Sequence, residues 1–289
     1  MGRDVDSRGV SQTPLTRARD LVSAASLYGR SSIRVLQQRR ARGAEERLVF
    51  VTGCPRSGTT FVAGAIGSQP GFVDLGEVHP LKAALPSLAG QPAAGAAQQL
   101  RRILDRVRRF GLAGQLRGVE QTPETAFVLP AVLAAYPEAR IVHVVRDGRD
   151  VVCSLLERGW LSAGREGADD AGLAYGSHTR FWVEPERQSD FDQLTDAGRA
   201  GYAWQRYVTT ARATTERLLE LRYETVAADP EAAAEPVATH LHADPAPLAE
   251  AFGEAHRRSV GRWQRDLDET QVAAVEREAG PLLRELGYL

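Results

Sequence analysis

At 289 residues and 43% hydrophobic content, the chain is long enough for one large α/β domain or two small ones. Its 36 basic and 37 acidic residues cancel to a net charge of −1, so nothing global argues for nucleic acid and any anion site must be a local cluster. Cys54 and Cys153 are too few for a disulfide framework or a zinc site, and they read as free thiols in a reducing compartment. Lys82 is the only lysine, so almost every cation is an arginine, which a GC-rich genome or a need for forked donors would each explain.

Residues 1–46 are Arg-rich, and Leu15, Ala18, Leu21, Val22 and Ala25 recur at helical spacing, which predicts an amphipathic extension ahead of the core. Such a helix suits a packing appendage with a solvated face, or weak contact with a membrane surface or an anionic acceptor. MGRDVDSRGVSQ lacks the apolar run of a signal peptide and no stretch of 18 apolar residues occurs, so the expectation is a cytoplasmic chain.

The core opens with LVFVT (48–52), a short β-branched strand closed by Gly53. A helix is predicted from Thr59 to about Ser68, a strand at Phe72–Leu75, a polar elbow at Gly76–Pro80 and an Ala-rich helix at 93–110. A strand at Gly118–Glu120 follows, then Thr122-Pro123-Glu124 opens a helix over 124–135. ARIVHVVRDGRDVVCSLLER (139–158) reads as a buried strand running into a helix. Residues 159–196 lack periodicity, a helix spans roughly 197–220, a strand is predicted at 221–223, and the last third is helical. Alternating strands and helices imply a P-loop-like parallel sheet with helices on both faces and a helical C-terminal region, in one domain over 47–289.

Two segments carry the chemistry. Gly53-Cys54-Pro55-Arg56-Ser57-Gly58-Thr59-Thr60 lies between a buried strand and a helix, where amides and the helix N-terminus attract an anion. Ser57, Thr59 and Thr60 add hydroxyl donors and Arg56 adds a full charge. An ordinary glycine turn would leave that cluster unexplained. A Walker A loop needs Lys where Thr59 stands, and a tyrosine-phosphatase loop needs Arg where Thr60 stands, so Cys54 reads as a buried loop residue. The second segment, Arg146-Asp147-Gly148-Arg149-Asp150, sits at the carboxyl end of IVHVV, the edge at which open α/β sheets bind ligands. Arg146 and Ser154, two helical turns into the next helix, could grip a second phosphate, with Asp147 and Asp150 as helix caps. Two anion sites suit a nucleotide phosphorylated at both ends of its ribose.

CPRSGTT resembles the 5′-phosphosulfate loop of sulfotransferases that use 3′-phosphoadenosine-5′-phosphosulfate (PAPS), and RDGRDVVCS resembles their 3′-phosphate motif. LRYETVAADP (221–230) and SVGRW (259–263) resemble further stretches of bacterial and carbohydrate-type members, so the likeness covers roughly 47–289. The resemblance implies that Pro55, Arg56, Ser57, Gly58, Thr59 and Thr60 hold the 5′-phosphosulfate and that Arg146 and Ser154 hold the 3′-phosphate. It also implies that Ser259 and Arg262 close over the nucleotide and that Tyr223 lies near the adenine, although a core tyrosine fits there equally. Many relatives carry Lys before Thr-Pro, where this chain has Gln121.

The implied reaction is metal-independent, in-line sulfuryl transfer that releases PAP, with Arg56 stabilising the leaving oxygens. Glu77 is the leading general base on resemblance, with His79 as runner-up; His143 reads as a satisfied histidine within its strand. Tyr175, His178, Arg180, Phe181 and Trp182 in the 159–196 segment either line an acceptor cleft or belong to a surface loop. The acceptor class, whether small molecule, carbohydrate, lipid or peptide tyrosine, stays open. A P-loop kinase and a non-catalytic PAP-binding module are the competing functions.

Overall fold

The structure, a computed structural model, describes residues 48–111, 116–162 and 180–289. The Arg-rich extension and the candidate acceptor residues Tyr175 and His178 lie outside the described residues. Five strands, β1 (Leu48–Thr52), β2 (Phe72–Gly76), β3 (Arg117–Glu120), β4 (Arg140–Val145) and β5 (Leu218–Arg222), form one parallel sheet in the order β2-β3-β1-β4-β5. Helices α1 (Thr59–Gly67), α2 (His79–Ala89), α3 (Ala93–Gly111), α4 (Leu129–Ala135) and α5 (Gly148–Arg158) connect the first four strands and leave the fourth. They are followed by α6 (Gln188–Gln193), α7 (Asp196–Arg212), α8 (Tyr223–Ala228), α9 (Pro230–Leu241), α10 (Pro245–Phe252), the short α11 (Trp263–Asp266) and α12 (Glu269–Glu285). None of the described helices is long and apolar enough to cross a membrane.

Strand alternation sorts the core into two layers. Leu48, Phe50, Ile141 and Val145 face a cluster that includes residues of α3, α4, α5, α7 and α12, whereas Val49, Val51, Val142 and Val144 face residues of α1, α9 and α10. Both sheet faces are therefore covered, as continuous apolar strands require. Because β1 feeds α1 on one face and β4 feeds α5 on the other, a crevice opens between the carboxyl ends of these neighbouring strands.

Several element boundaries differ from the sequence expectation. The elbow predicted at Gly76–Pro80 ends at Val78, because His79 and Pro80 already form the first turn of α2, where a proline costs no helical hydrogen bond. The predicted 124–135 helix is a 3₁₀ segment (Pro123–Val128) followed by α4, because Pro130 lacks the N–H that a continuous ladder would need. The predicted 197–220 helix ends at Arg212, and Leu218–Leu221 instead pair with Ile141–Val144. Arg217, at φ 53°, reverses the chain between them, and tertiary pairing overrides the helical propensity of LLEL. Tyr223 consequently starts α8 rather than ending a strand. Within 159–196 the described part contains the turn Pro185–Arg187 and α6 rather than structureless chain.

Candidate active site

The first loop leaves β1 through Gly53, whose backbone lies at φ 153° and whose Cα approaches β4 so closely that a Cβ would stand 2.4 Å from the Val144 carbonyl oxygen. Arg56 takes φ 74°, a left-handed conformation that costs a non-glycine residue on the order of 1–3 kcal/mol and concentrates at functional sites. No side chain caps α1, so the amides of its first turn remain directed at the loop. Ser57 is fully buried, and its Oγ has no hydrogen-bond partner among the described residues. A buried orphan donor inside an amide-lined loop fits an anionic guest.

The second loop stands alongside. Arg146, 6% exposed, donates from Nη1 to the Arg56 carbonyl at 3.5 Å and from Nη2 to the Ser259 carbonyl, while its Nε has no hydrogen-bond partner among the described residues. Arg56 Nε donates to Ser154 Oγ at 2.9 Å, so the two predicted phosphate motifs touch. Tyr223 is buried beneath both: a Cβ on Gly58 would meet its ring at 2.4 Å, and Arg146 Cζ lies 5.1 Å from the ring centroid. Its hydroxyl accepts from the His256 N–H at 3.2 Å.

Asp147 caps α5, accepting from Arg149 N at 2.9 Å, as its position predicts. Asp150 does something else. Its carboxylate accepts from Gly261 N at 2.8 Å and Trp263 N at 3.0 Å, tying the 259–263 segment to α5. Arg262 lies on that segment, held by Glu157 and by Asp266 at 2.6 Å, and these bonds push its pKa further up. Ser259 meets Arg146 through its carbonyl, and its hydroxyl is bonded to the His256 carbonyl at 2.6 Å.

A cavity is lined by Cys54, Arg56, Thr59 and Thr60 of the first loop and by the aromatic residues Trp160, Trp182 and Tyr207. Glu77 lines it, 2.5 Å from Nζ of buried Lys82, which also lies 3.9 Å from buried Glu124. His79 starts α2, is exposed, and is not among the lining residues. Gln121 accepts from Thr60 Oγ1 at 3.1 Å, so the position without a lysine still reaches the first loop. Arg56 Cζ lies 5.7 Å from the Trp160 ring centroid. Of the suggested acceptor residues, Arg180 and Trp182 line the cavity, while Phe181 packs against Phe127 with centroids 5.6 Å apart. Sequence reasoning gave no role to Lys82, Glu124 or Trp160; these come from three separate segments with no local motif.

Three further groups define the surroundings. Burial and the nearby charge of Glu124 push the Cys54 thiol well up, and burial pushes Cys153 up to about 12, so both are inert, buried thiols. Glu120 accepts from Thr122 N at 3.0 Å and Val78 N at 3.3 Å, yet burial raises it to about 7. His143 is fully buried in β4, and that burial lowers the imidazole pKa by more than the long contact of Nδ1 with Glu220, at 3.6 Å, raises it.

Two donor-rich loops thus stand side by side at the switch point of a parallel sheet, where open α/β sheets bind their ligands. The model described as the sulfotransferase family matches residues 91–247, which contain the second anion loop; the first, at 53–60, precedes the match. A Caenorhabditis briggsae chain named as a protein-tyrosine sulfotransferase is 31% identical over 140 residues, 44% of this chain and 49% of that relative. The chain thus spans about half the length of the curated relative it matches. The sulfotransferase domain from the curacin biosynthetic pathway is similar in fold, with a TM-score of 0.50 and 14% identity over 83% of this chain and 98% of that one. The sulfotransferase domain from the Synechococcus PCC 7002 olefin synthase gives a TM-score of 0.47 at 14% identity, covering 84% and 98%. The chain belongs to the sulfotransferase family.

Proposed function

We propose that the chain transfers a sulfuryl group from PAPS to a hydroxyl or amine of an acceptor and releases PAP. The observation that carries this reading is the pair of buried, unpartnered donors, Ser57 Oγ and Arg146 Nε, at the ends of adjacent strands. The first suits the 5′-phosphosulfate, together with Pro55–Thr60, and the second suits the 3′-phosphate, together with Ser154 and the Ser259–Arg262 segment. A nucleotide with a phosphate only on its 5′ side would leave one of them unused.

In the transfer, the bond from sulfur to the 5′-phosphate oxygen breaks as the acceptor oxygen bonds to sulfur from the opposite side. Charge gathers on the leaving oxygen, and Arg56 with the first-loop amides would stabilise it without a metal. The acceptor proton passes to Glu77, whose carboxylate faces the cavity beside Lys82. Exposed His79, off the cavity lining, is the weaker base candidate. Trp160, Trp182 and Tyr207 suit a hydroxyl carried on a flat or apolar group. A peptide tyrosine is the first such acceptor to try, given the name of the Caenorhabditis briggsae relative.

The test is transfer of label from ³⁵S-PAPS to a panel of tyrosyl peptides, phenols, sugars and lipids in the presence of a metal chelator. Labelled acceptor, lost in Arg56→Ala and strongly reduced in Glu77→Gln, supports the proposal. Full activity of Glu77→Gln with loss in His79→Ala would exchange the two base candidates. Absence of transfer to any acceptor, with PAP still bound, would favour a non-catalytic binding module, and magnesium-dependent ATP turnover would favour a kinase.

A further inference from the structure

The 3′-phosphate loop is held from behind by a part of the chain far away in sequence. The peptide joining Arg146 to Asp147 is fixed on both sides. Trp204 Nε1 donates to the Arg146 carbonyl at 3.0 Å, and Asp147 N donates to Glu224 Oε1 at 2.8 Å. The other oxygen of Glu224 accepts from the Tyr288 hydroxyl at 3.0 Å. Asp147 in turn accepts from Arg149 Nε at 3.0 Å and Nη2 at 2.7 Å, and the same Nη2 donates to the Tyr288 carbonyl at 2.6 Å. Tyr288 thus closes the ring of bonds twice, once through its hydroxyl and once through its backbone.

The elements around Tyr288 hold it in place. Arg222, at the end of β5, donates to the Leu286 carbonyl at 2.6 Å and has its Cζ 5.2 Å from the Tyr288 ring centroid. Arg149 also lies over Trp263, 3.9 Å from the ring centroid, so the segment carrying Arg262 leans on the same arginine. Burial raises the pKa of both Glu224 and Tyr288, the Tyr288 hydroxyl next to a carboxylate being further disfavoured from ionising. The phenol therefore stays a donor to Glu224 at neutral pH.

We infer that Tyr288 and Glu224 are positioning residues for the 3′-phosphate, acting through the Arg146–Asp147 peptide rather than by touching the nucleotide. Arg146 carries its guanidinium from that peptide into bonds with the Arg56 and Ser259 carbonyls, 3.7 Å from Asp150, and its buried Nε has no hydrogen-bond partner among the described residues. A tilt of the peptide shifts that donor at the far end of the side chain, and a charge-assisted hydrogen bond is sensitive to such a shift. The bonds of Glu224 and Tyr288 run to Asp147 and Arg149, and Arg146 meets the 53–60 loop through a long bond to the Arg56 carbonyl at 3.5 Å, so the effect should fall mainly on the 3′-phosphate. The inference rests on the proposal that Arg146 binds the 3′-phosphate.

The experiment measures affinity for PAP and for ADP, which lacks the 3′-phosphate, by calorimetry on the full chain carrying Tyr288→Phe, Glu224→Gln or Arg146→Ala. Tyr288→Phe keeps the ring over Arg222 and removes only the hydroxyl. Losing the alignment of one charge-assisted bond should raise the PAP Kd about tenfold while the ADP Kd stays within about twofold. If Arg146→Ala abolishes the preference for PAP but both brace variants keep it in full, the brace is refuted and the phosphate reading survives. Equal losses for PAP and ADP would also refute it, since a merely structural role moves both. A wild-type chain with no preference for PAP would overturn the underlying reading and the brace with it.

Discussion

Replacing Ser57 by alanine should move stability and nucleotide affinity in opposite directions. The Ser57 hydroxyl is fully buried within the first loop and has no hydrogen-bond partner among the described residues. A buried polar group left in that state costs about 1–3 kcal/mol, and alanine removes it at the loss of a single small atom. At the lower end of that range, the melting temperature of the free protein should rise by roughly 2–4 °C. The same hydroxyl, facing a phosphosulfate, would make a bond to a charged group worth about 1.5–3 kcal/mol, so the PAP Kd should rise about 10–100-fold. Scanning calorimetry with and without PAP reads both effects in one series, because the stabilisation by PAP shrinks as Kd rises. A variant that melts lower and binds PAP as tightly as the wild type would refute the reasoning, since the hydroxyl would then have an internal structural role.

Gly58→Ala should lose both fold stability and PAP binding, because its backbone lies at φ 97° and its Cβ would stand 2.4 Å from the Tyr223 ring. Strain alone is on the order of 1–3 kcal/mol; Gly64→Ala in α1, where a Cβ meets nothing within 4 Å, should instead stabilise by about 0.5–1 kcal/mol in urea unfolding. Glu120 has a folded pKa raised from 4.5 to about 7, so its contribution is fully present below 4.5 and is lost progressively as pH rises to about 7. Glu120→Gln should therefore gain on the wild type by about 3 kcal/mol between pH 4.5 and pH 8; a gap that stays constant across that range would contradict the assignment. Cys54 and Cys153 should resist a thiol reagent in the native protein at pH 8 and react together on unfolding, and rapid native labelling of either would count against their burial.

The two strand-to-helix loops were legible because each follows an apolar, β-branched run and ends in residues that only a turn into a helix explains. LVFVT with Gly53, and IVHVV with Asp147 as cap, carry that information within a dozen residues each. What local pattern could not give was any feature decided by a distant partner. LLEL reads as helix until β4 is beside it, and Asp150 reads as a cap until Gly261 and Trp263 arrive from more than a hundred residues away. Lys82 stands in the sequence only as the single lysine, yet the fold buries it against Glu77 and Glu124 at the cavity wall. The same holds for Glu224 and Tyr288, whose sequence surroundings name no partner, and for His143, whose burial is plain from its strand but whose neighbour Glu220 on β5 is not.

The central claim is that two loops bind two separate phosphates of one nucleotide, and titration calorimetry of PAP against ADP in a metal chelator tests it most directly. The account predicts that PAP binds at least about tenfold tighter than ADP, since the 3′-phosphate gains a charge-assisted bond from Arg146. Equal affinity for the two, or binding that appears only with magnesium, would contradict it.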